Sequence, residues 1–161
     1  MSNSSAYELI GLLLKRREKV AVAESCTGGR VLARLTEVPG SSAVLWGGVV
    51  CYSNESKVTL LGVEADLIRK NGVVSSEVAR AMVRGIQRRS KADWAIAVSG
   101  IAGPSGGSIG KPVGTVWIGC CDSSDNISTR LQNIDGDRRL IQRQAAEKAL
   151  KMLLEMVDNV R

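Results

Sequence analysis

Ala23-Glu24-Ser25-Cys26-Thr27-Gly28-Gly29 stands between the apolar run Val20-Ala21-Val22 and the helical pattern Arg30-Val31-Leu32-Ala33-Arg34-Leu35. A strand that breaks into a small, hydroxyl-rich turn and then a helix places Ser25, Thr27 and two glycine amides at a helix N-terminus. Unpaired N–H groups and the helix dipole favour negative charge there. Such a turn can hold an anion or an oxyanion. It can equally be a plain cap, because Ser and Thr are favoured N-cap residues and glycine permits a tight turn. The rest of the chain has to choose between them.

On the N-terminal side, Leu9, Ile10, Leu12, Leu13 and Leu14 recur at helical spacing and predict a helix over 7–19 with a basic end, followed by a strand over 20–23. On the C-terminal side the helix stops before Pro39-Gly40, and Ser41-Ser42 either cap a short turn or face the Ser25 loop. Residues 44–52 are apolar, β-branched and aromatic around Gly47-Gly48, which predicts a buried strand with a bulge or a close backbone approach. That strand delivers Tyr52. With Ser53 or Asn54 as N-cap, Lys57 falls in the first turn of the next helix, where the macrodipole disfavours a positive charge and lowers the lysine pKa. Burial would carry it further towards the range of a general base. The alternative is a surface lysine whose stem covers apolar neighbours.

Beyond a short helix over 65–70 and a turn at Asn71-Gly72, Ser75 opens a helix with the apolar stripe Val78, Ala79, Met82, Val83, Ile86. Trp94-Ala95-Ile96-Ala97-Val98 is the continuous run of a central strand covered on both faces. It ends in a glycine-rich loop from Ser99 to Ser108, placed where open α/β sheets bind ligands. The loop is not a P-loop, because Gly110-Lys111 continues with Pro112. Residues 113–121 and 127–134 predict a hairpin, and Asp135-Gly136-Asp137 turns into the last helix. The order predicts an α/β fold: a three-layer α/β/α single domain over 1–161, with a mixed, mostly parallel sheet and a C-terminal antiparallel hairpin.

Composition narrows the chemistry. With 44% hydrophobic and 24% charged residues over 161 positions, the chain has the balance of one soluble domain. No apolar run approaches the ~20 residues of a membrane span, and the polar start Met1-Ser2-Asn3-Ser4-Ser5 lacks a signal-peptide pattern, so a cytoplasmic protein is expected. Cys26, Cys51, Cys120 and Cys121 form no CxxC pair, which argues against a disulfide scaffold or a zinc site. A net charge of +6 could attract polyanions, but the three Trp, two Tyr and no Phe leave little surface for stacking bases, so nucleic acid is not the expected partner. The absence of histidine removes Ser-His-Asp triads, Cys-His pairs and histidine-bearing metal centres. A nucleophilic Ser25 would need Lys, a carboxylate, Tyr or a terminus as its base, and Ser-Lys variants exist on other folds.

These stretches together resemble the CinA C-terminal domain family, also known as the nicotinamide mononucleotide (NMN) deamidases of the stand-alone PncC type. Besides the Ser25 turn, the matching segments are Pro39-Gly40-Ser41-Ser42, Gly47-Gly48-Val49-Val50 with Tyr52-Ser53-Asn54 and Lys57, and Val74-Ser75. Further on, Ser99-Gly100-Ile101-Ala102-Gly103-Pro104 with Gly106-Gly107, and Lys111-Pro112-Val113-Gly114-Thr115-Val116, match as well. The resemblance implies hydrolysis of the NMN carboxamide to nicotinate mononucleotide and ammonia in pyridine nucleotide recycling, with no metal or organic cofactor and with a homo-oligomeric enzyme. By motif position, Ser25 corresponds to the nucleophile, Lys57 to its base and Tyr52 to a neighbouring site residue. Ser42 and the loop carrying Ser99, Gly100 and Gly103 correspond to further pocket positions. The amides of Thr27, Gly28 and Gly29 are then expected to hold the oxyanion or the substrate phosphate, Lys111 to steady that phosphate, and Arg138 to belong to the retained Gly136-Asp137-Arg138 segment. Two positions depart from the family pattern. Ser99 replaces a usual Thr, and Gln142 replaces a usual Arg whose contact would be weakened or pass to Arg143 or Arg139. The competing reading is a non-catalytic nucleotide-binding module of the competence/damage-inducible CinA type, in which Ser25 only caps its helix.

Overall fold

The structure is a computed structural model describing residues 4–160; the polar start at Met1-Ser2-Asn3 lies outside them. Its order is α1 (Ser4–Arg16), β1 (Val20–Glu24), α2 (Arg30–Thr36), a 3₁₀ turn (Ser41–Ala43), β2 (Leu45–Val50), α3 (Asn54–Leu61), α4 (Ala65–Asn71) and α5 (Ser76–Ser90). Then come β3 (Trp94–Gly100), β4 (Thr115–Asp122), β5 (Ile127–Asn133) and α6 (Arg138–Asn159). One sheet holds the five strands in the order β2-β1-β3-β4-β5. β1 pairs in parallel with both β2 and β3, and β4 pairs antiparallel with β3 and with β5. Four strands therefore run one way and β4 alone returns, as expected for a mixed sheet closed by a C-terminal hairpin.

Alternation along the strands builds two cores. Val20, Val22, Ile96 and Val98 point to the face covered by α1, α2 and α6, while Ala21, Ala23, Ala95 and Ala97 point to the face covered by α3, α4 and α5. Small alanines on the second face let α5 lie close to the strands. The adjacent cysteines follow the same rule: Cys120 enters the first core and Cys121 the second, and all four cysteines are free and buried.

Two elements differ from the sequence reading. The first helix ends at Arg16 rather than Lys19, because Arg17 takes a left-handed φ of 59° and Lys19 already pairs with the start of β3 through the Trp94 amide. The strand predicted as buried is an edge strand, with Trp46 and Val50 exposed. Its glycines behave as read. The register shifts between Val20 and Ala21 opposite Gly47, whose φ is 132°, and a Cβ on Gly48 would lie 2.3 Å from the Val22 carbonyl oxygen.

Candidate active site

The parallel strands β1 and β3 end side by side, and their carboxyl ends open into a cleft of about 260 Å³. Ser25 follows directly on β1, its amide donating to the Val98 carbonyl of β3 at 3.0 Å. Lys57 reaches it from α3. The Ser53 side chain caps that helix by accepting from the Ser56 amide, and the Ser53 amide in turn donates to the Ser56 hydroxyl. Lys57 is only 1% exposed, and its Nζ lies 3.2 Å from Ser25 Oγ and donates to the Cys51 carbonyl at 2.9 Å. Among the described residues no carboxylate pairs with it. Burial pushes its pKa below the ordinary lysine value, in the direction the helix-terminus argument gave. Burial pushes the Cys26 thiol the other way, up to about 12, so at neutral pH it stays protonated beside Ser25.

The cleft rim is a bridge between two loops. Arg138, the first residue of α6, donates from Nη2 to the Tyr52 hydroxyl at 2.6 Å and from Nη1 to the Gly103 carbonyl at 2.7 Å. Ser99 and Gly100 line the floor. The Ser99 hydroxyl donates to the Val73 carbonyl at 2.9 Å, and a Cβ on Gly100 would lie 2.7 Å from Val116 Cγ2 and 3.0 Å from Cys26 Sγ. A side chain there would push the Ser25 turn out of place. Among the described residues no group of three or more His, Cys, Asp or Glu is placed to hold a metal ion, and no helix is long and apolar enough to cross a membrane.

Five expected positions are not brought to the cleft in the expected way. Helix α2 begins at Arg30 with Gly29 as its N-cap and no side-chain cap bond, so Ser25 lies too far upstream to cap it. The anion at that helix start is the chain's own Glu24, which is fully buried and accepts from the amides of Gly29, Val31 and Leu32 at 3.0, 3.2 and 2.8 Å. The Gly28 amide donates to the Ser25 carbonyl. Gly28 and Gly29 are thus taken, and Thr27 is buried behind the turn, off the cleft lining. Ser42 sits in the 3₁₀ turn before β2, at the end of the sheet where Val20 begins, opposite to Ser25. Lys111 turns away to the C-terminal end of α4, where Nζ donates to the Asn71 carbonyl at 2.9 Å.

Glu24 was not legible as a site residue, and Gln142 was legible only as the residue that replaces the family's Arg. A carboxylate immediately before a glycine turn and a helix was the available signal for Glu24. For Gln142, Nε2 donates to the Cys26 carbonyl at 2.9 Å, tying α6 to the Ser25 turn at the position where the family pattern has Arg. Arg139 and Arg143 do not take over that contact; with Arg30 and Asp137 they line a separate surface depression.

A mixed-sheet α/β domain with a buried Ser-Lys pair at the carboxyl ends of its parallel strands is the class these features define. The CinA C-terminal domain model matches residues 2–157, and the chain belongs to that family. It is 51% identical over 138 residues to the nicotinamide-nucleotide amidohydrolase PncC of Pseudomonas putida, covering 86% of each chain. It is 46% identical to a CinA-like protein of Thermotoga neapolitana over 95% of its own length, but spans only 37% of that protein. Several curated relatives are similarly about three times longer than the matched region. Among solved structures, a competence/damage-inducible protein of Agrobacterium tumefaciens superposes with a TM-score of 0.93 at 38% identity, covering 96% of this chain and 94% of that one. A Klebsiella pneumoniae counterpart gives 0.94 at 34% identity, covering 99% and 98%.

Proposed function

We propose that this chain is a cytoplasmic amidohydrolase that cleaves the carboxamide of NMN to nicotinate mononucleotide and ammonia, with Ser25 as nucleophile and Lys57 as base. The observation that carries the reading is the buried Lys57 amine 3.2 Å from Ser25 Oγ, its charged form disfavoured by burial and no carboxylate beside it. The 51% identity to a nicotinamide-nucleotide amidohydrolase supports the choice of substrate.

In the neutral form of Lys57, one N–H keeps the Cys51 carbonyl while the lone pair accepts the Ser25 hydroxyl proton. Ser25 Oγ attacks the carboxamide carbon, and the C=O electrons move to oxygen. The Lys57 ammonium then protonates the departing nitrogen, the C–N bond breaks, and ammonia leaves an acyl-Ser25 ester. Water attacks that ester with Lys57 again taking the proton. The product acid leaves as that proton returns to Ser25, and it ionises to the carboxylate by giving its own proton to water or to the released ammonia. Arg138 and Tyr52, at the rim, face the part of the substrate that carries ribose and phosphate, and the guanidinium fork suits a phosphate.

The test is ammonia and nicotinate mononucleotide formation by the purified protein supplied with NMN. Turnover is expected, and Ser25→Ala is expected to abolish it while the thermal midpoint stays near that of the parent. Tight NMN binding with no ammonia release would instead support the non-catalytic nucleotide-binding module.

A further inference from the structure

Two of the loops that line the cleft are joined by one side chain. The glycine-rich loop after β3 contributes Ser105 and Gly106 to the lining, and the loop between α4 and α5 contributes Val73 and Val74. Residues 104–110 are all exposed, and among the described residues positions 104–107 make no hydrogen bond. The loop is held from its two ends instead. At one, the Gly103 carbonyl accepts Arg138 Nη1 at 2.7 Å. At the other, Ser108 and Lys111 exchange backbone bonds of 2.8 and 3.2 Å that close a turn, and from that turn Lys111 Nζ crosses to the Asn71 carbonyl at 2.9 Å. Asn71 is the last residue of α4, where carbonyls lack helical partners and the dipole favours a cation. Gly72 leaves room for the crossing, since a Cβ there would lie 3.0 Å from Lys111 Nζ. The α4–α5 loop is itself fixed: the Ser99 hydroxyl donates to the Val73 carbonyl at 2.9 Å, and the Ser75 hydroxyl to the Gly72 carbonyl at 2.8 Å.

We infer that Lys111 is a positioning residue, a latch that holds the glycine-rich loop to the α4–α5 loop so that the cleft keeps its shape before substrate arrives. The inference rests on the hydrolysis proposed above, and it gives Lys111 a part other than contact with the substrate phosphate. Among the described residues, no other hydrogen bond ties residues 104–111 to the rest of the molecule. Without the latch, Gly106 and Gly107 offer that stretch little resistance to motion. Ordering it then falls to substrate binding, which is weakened by that cost. Ser25 and Lys57 stand outside both loops, after β1 and on α3, so the reacting pair is left as it was.

Lys111→Met keeps most of the stem and removes the ammonium, and Lys111→Arg returns a charged donor. In Lys111→Met, KM for NMN is expected to rise about 10-fold with kcat little changed. The backbone ¹⁵N order parameter of Gly106, read without substrate, should fall in the Met variant and return, together with KM, in the Arg variant. An unmoved order parameter overturns the latch, and a KM that rises beside it returns Lys111 to the phosphate. A KM that stays in place, whether or not kcat falls, overturns the inference equally. Parent protein that releases no ammonia from NMN overturns the hydrolysis itself, while the order parameter still reports separately whether Lys111 holds the loop.

Discussion

Lys57 is where sequence, burial and chemistry meet in one side chain. Its neutral form must be present during turnover, so kcat/KM should rise with pH through a pKa below the ordinary value of 10.5. Lys57→Arg should be as inactive as Lys57→Ala, because a guanidinium keeps the charge but cannot lose its proton near neutral pH. A Lys57→Arg enzyme with most of its kcat would show that charge alone suffices. The same shift has a thermodynamic sign. With the folded pKa depressed, the unfolded chain binds more protons between the folded value and 10.5, so stability rises with pH across that window and is flat below it. The buried thiols act oppositely, their raised pKa values costing stability above the ordinary thiol value of 9.0. The pH dependence of the denaturant midpoint in the parent minus that in Lys57→Met isolates the lysine, and a difference that does not grow with pH would contradict its burial as a disfavoured charge. Lys57 was legible as a candidate base from its first-turn position and from its place in the family motif, whereas no spacing shows that Lys111, expected at the substrate phosphate, turns to the Asn71 carbonyl.

At the scale of elements, the strand-turn-helix of β1, residues 25–29 and α2 is held by the Glu24 carboxylate. Three amide donors converge on that one buried group, so Glu24→Gln removes the charge that answers the helix dipole and presents an NH₂ to N–H groups. It is expected to lower stability by about 1–3 kcal/mol and to speed hydrogen exchange at Gly29, Val31 and Leu32. Unchanged exchange at those three amides would show that the helix start does not depend on the carboxylate. Periodicity made most elements readable, because α5 and α6 bury continuous stripes and β3 is apolar from Trp94 to Val98. Burial of β2 was misread for a definite reason. Its run Leu45–Val50 is as apolar as a central strand, yet no strand among the described residues lies beyond it, and an edge position is set by the order of the whole sheet rather than by the strand itself. The anion site read into the Gly28 and Gly29 amides was lost similarly: the pattern shows donors at a helix start, and not that Glu24 folds back onto the Gly29 amide and the Ser25 carbonyl takes the Gly28 one.

Across the whole molecule, one sheet separates two cores and gathers the ends of β1, β3, α3 and α6 at a single edge, where the surface balance of charge also acts. The chain carries +6, and under the proposed hydrolysis NMN would bring its phosphate to the rim where Arg138 spans Tyr52 and Gly103. A positive field of this kind raises the encounter rate of an anionic substrate and is screened as the Debye length falls from about 10 Å at 0.1 M salt to about 3 Å at 1 M. The chemistry at Ser25 and Lys57 lies in a buried pair and should feel the salt far less. Raising sodium chloride from low to molar concentration is therefore expected to lower kcat/KM for NMN by about 3-fold with kcat nearly constant. A kcat that falls in step with kcat/KM would locate the salt effect in the catalytic pair, and a kcat/KM independent of salt would leave the net charge without a part in capture. The same series run with duplex DNA separates the remaining use of a basic surface. Counterion release makes such binding fall steeply with salt, and tight sequence-independent binding that persisted at physiological salt would assign the charge to nucleic acid instead of to the small anionic substrate.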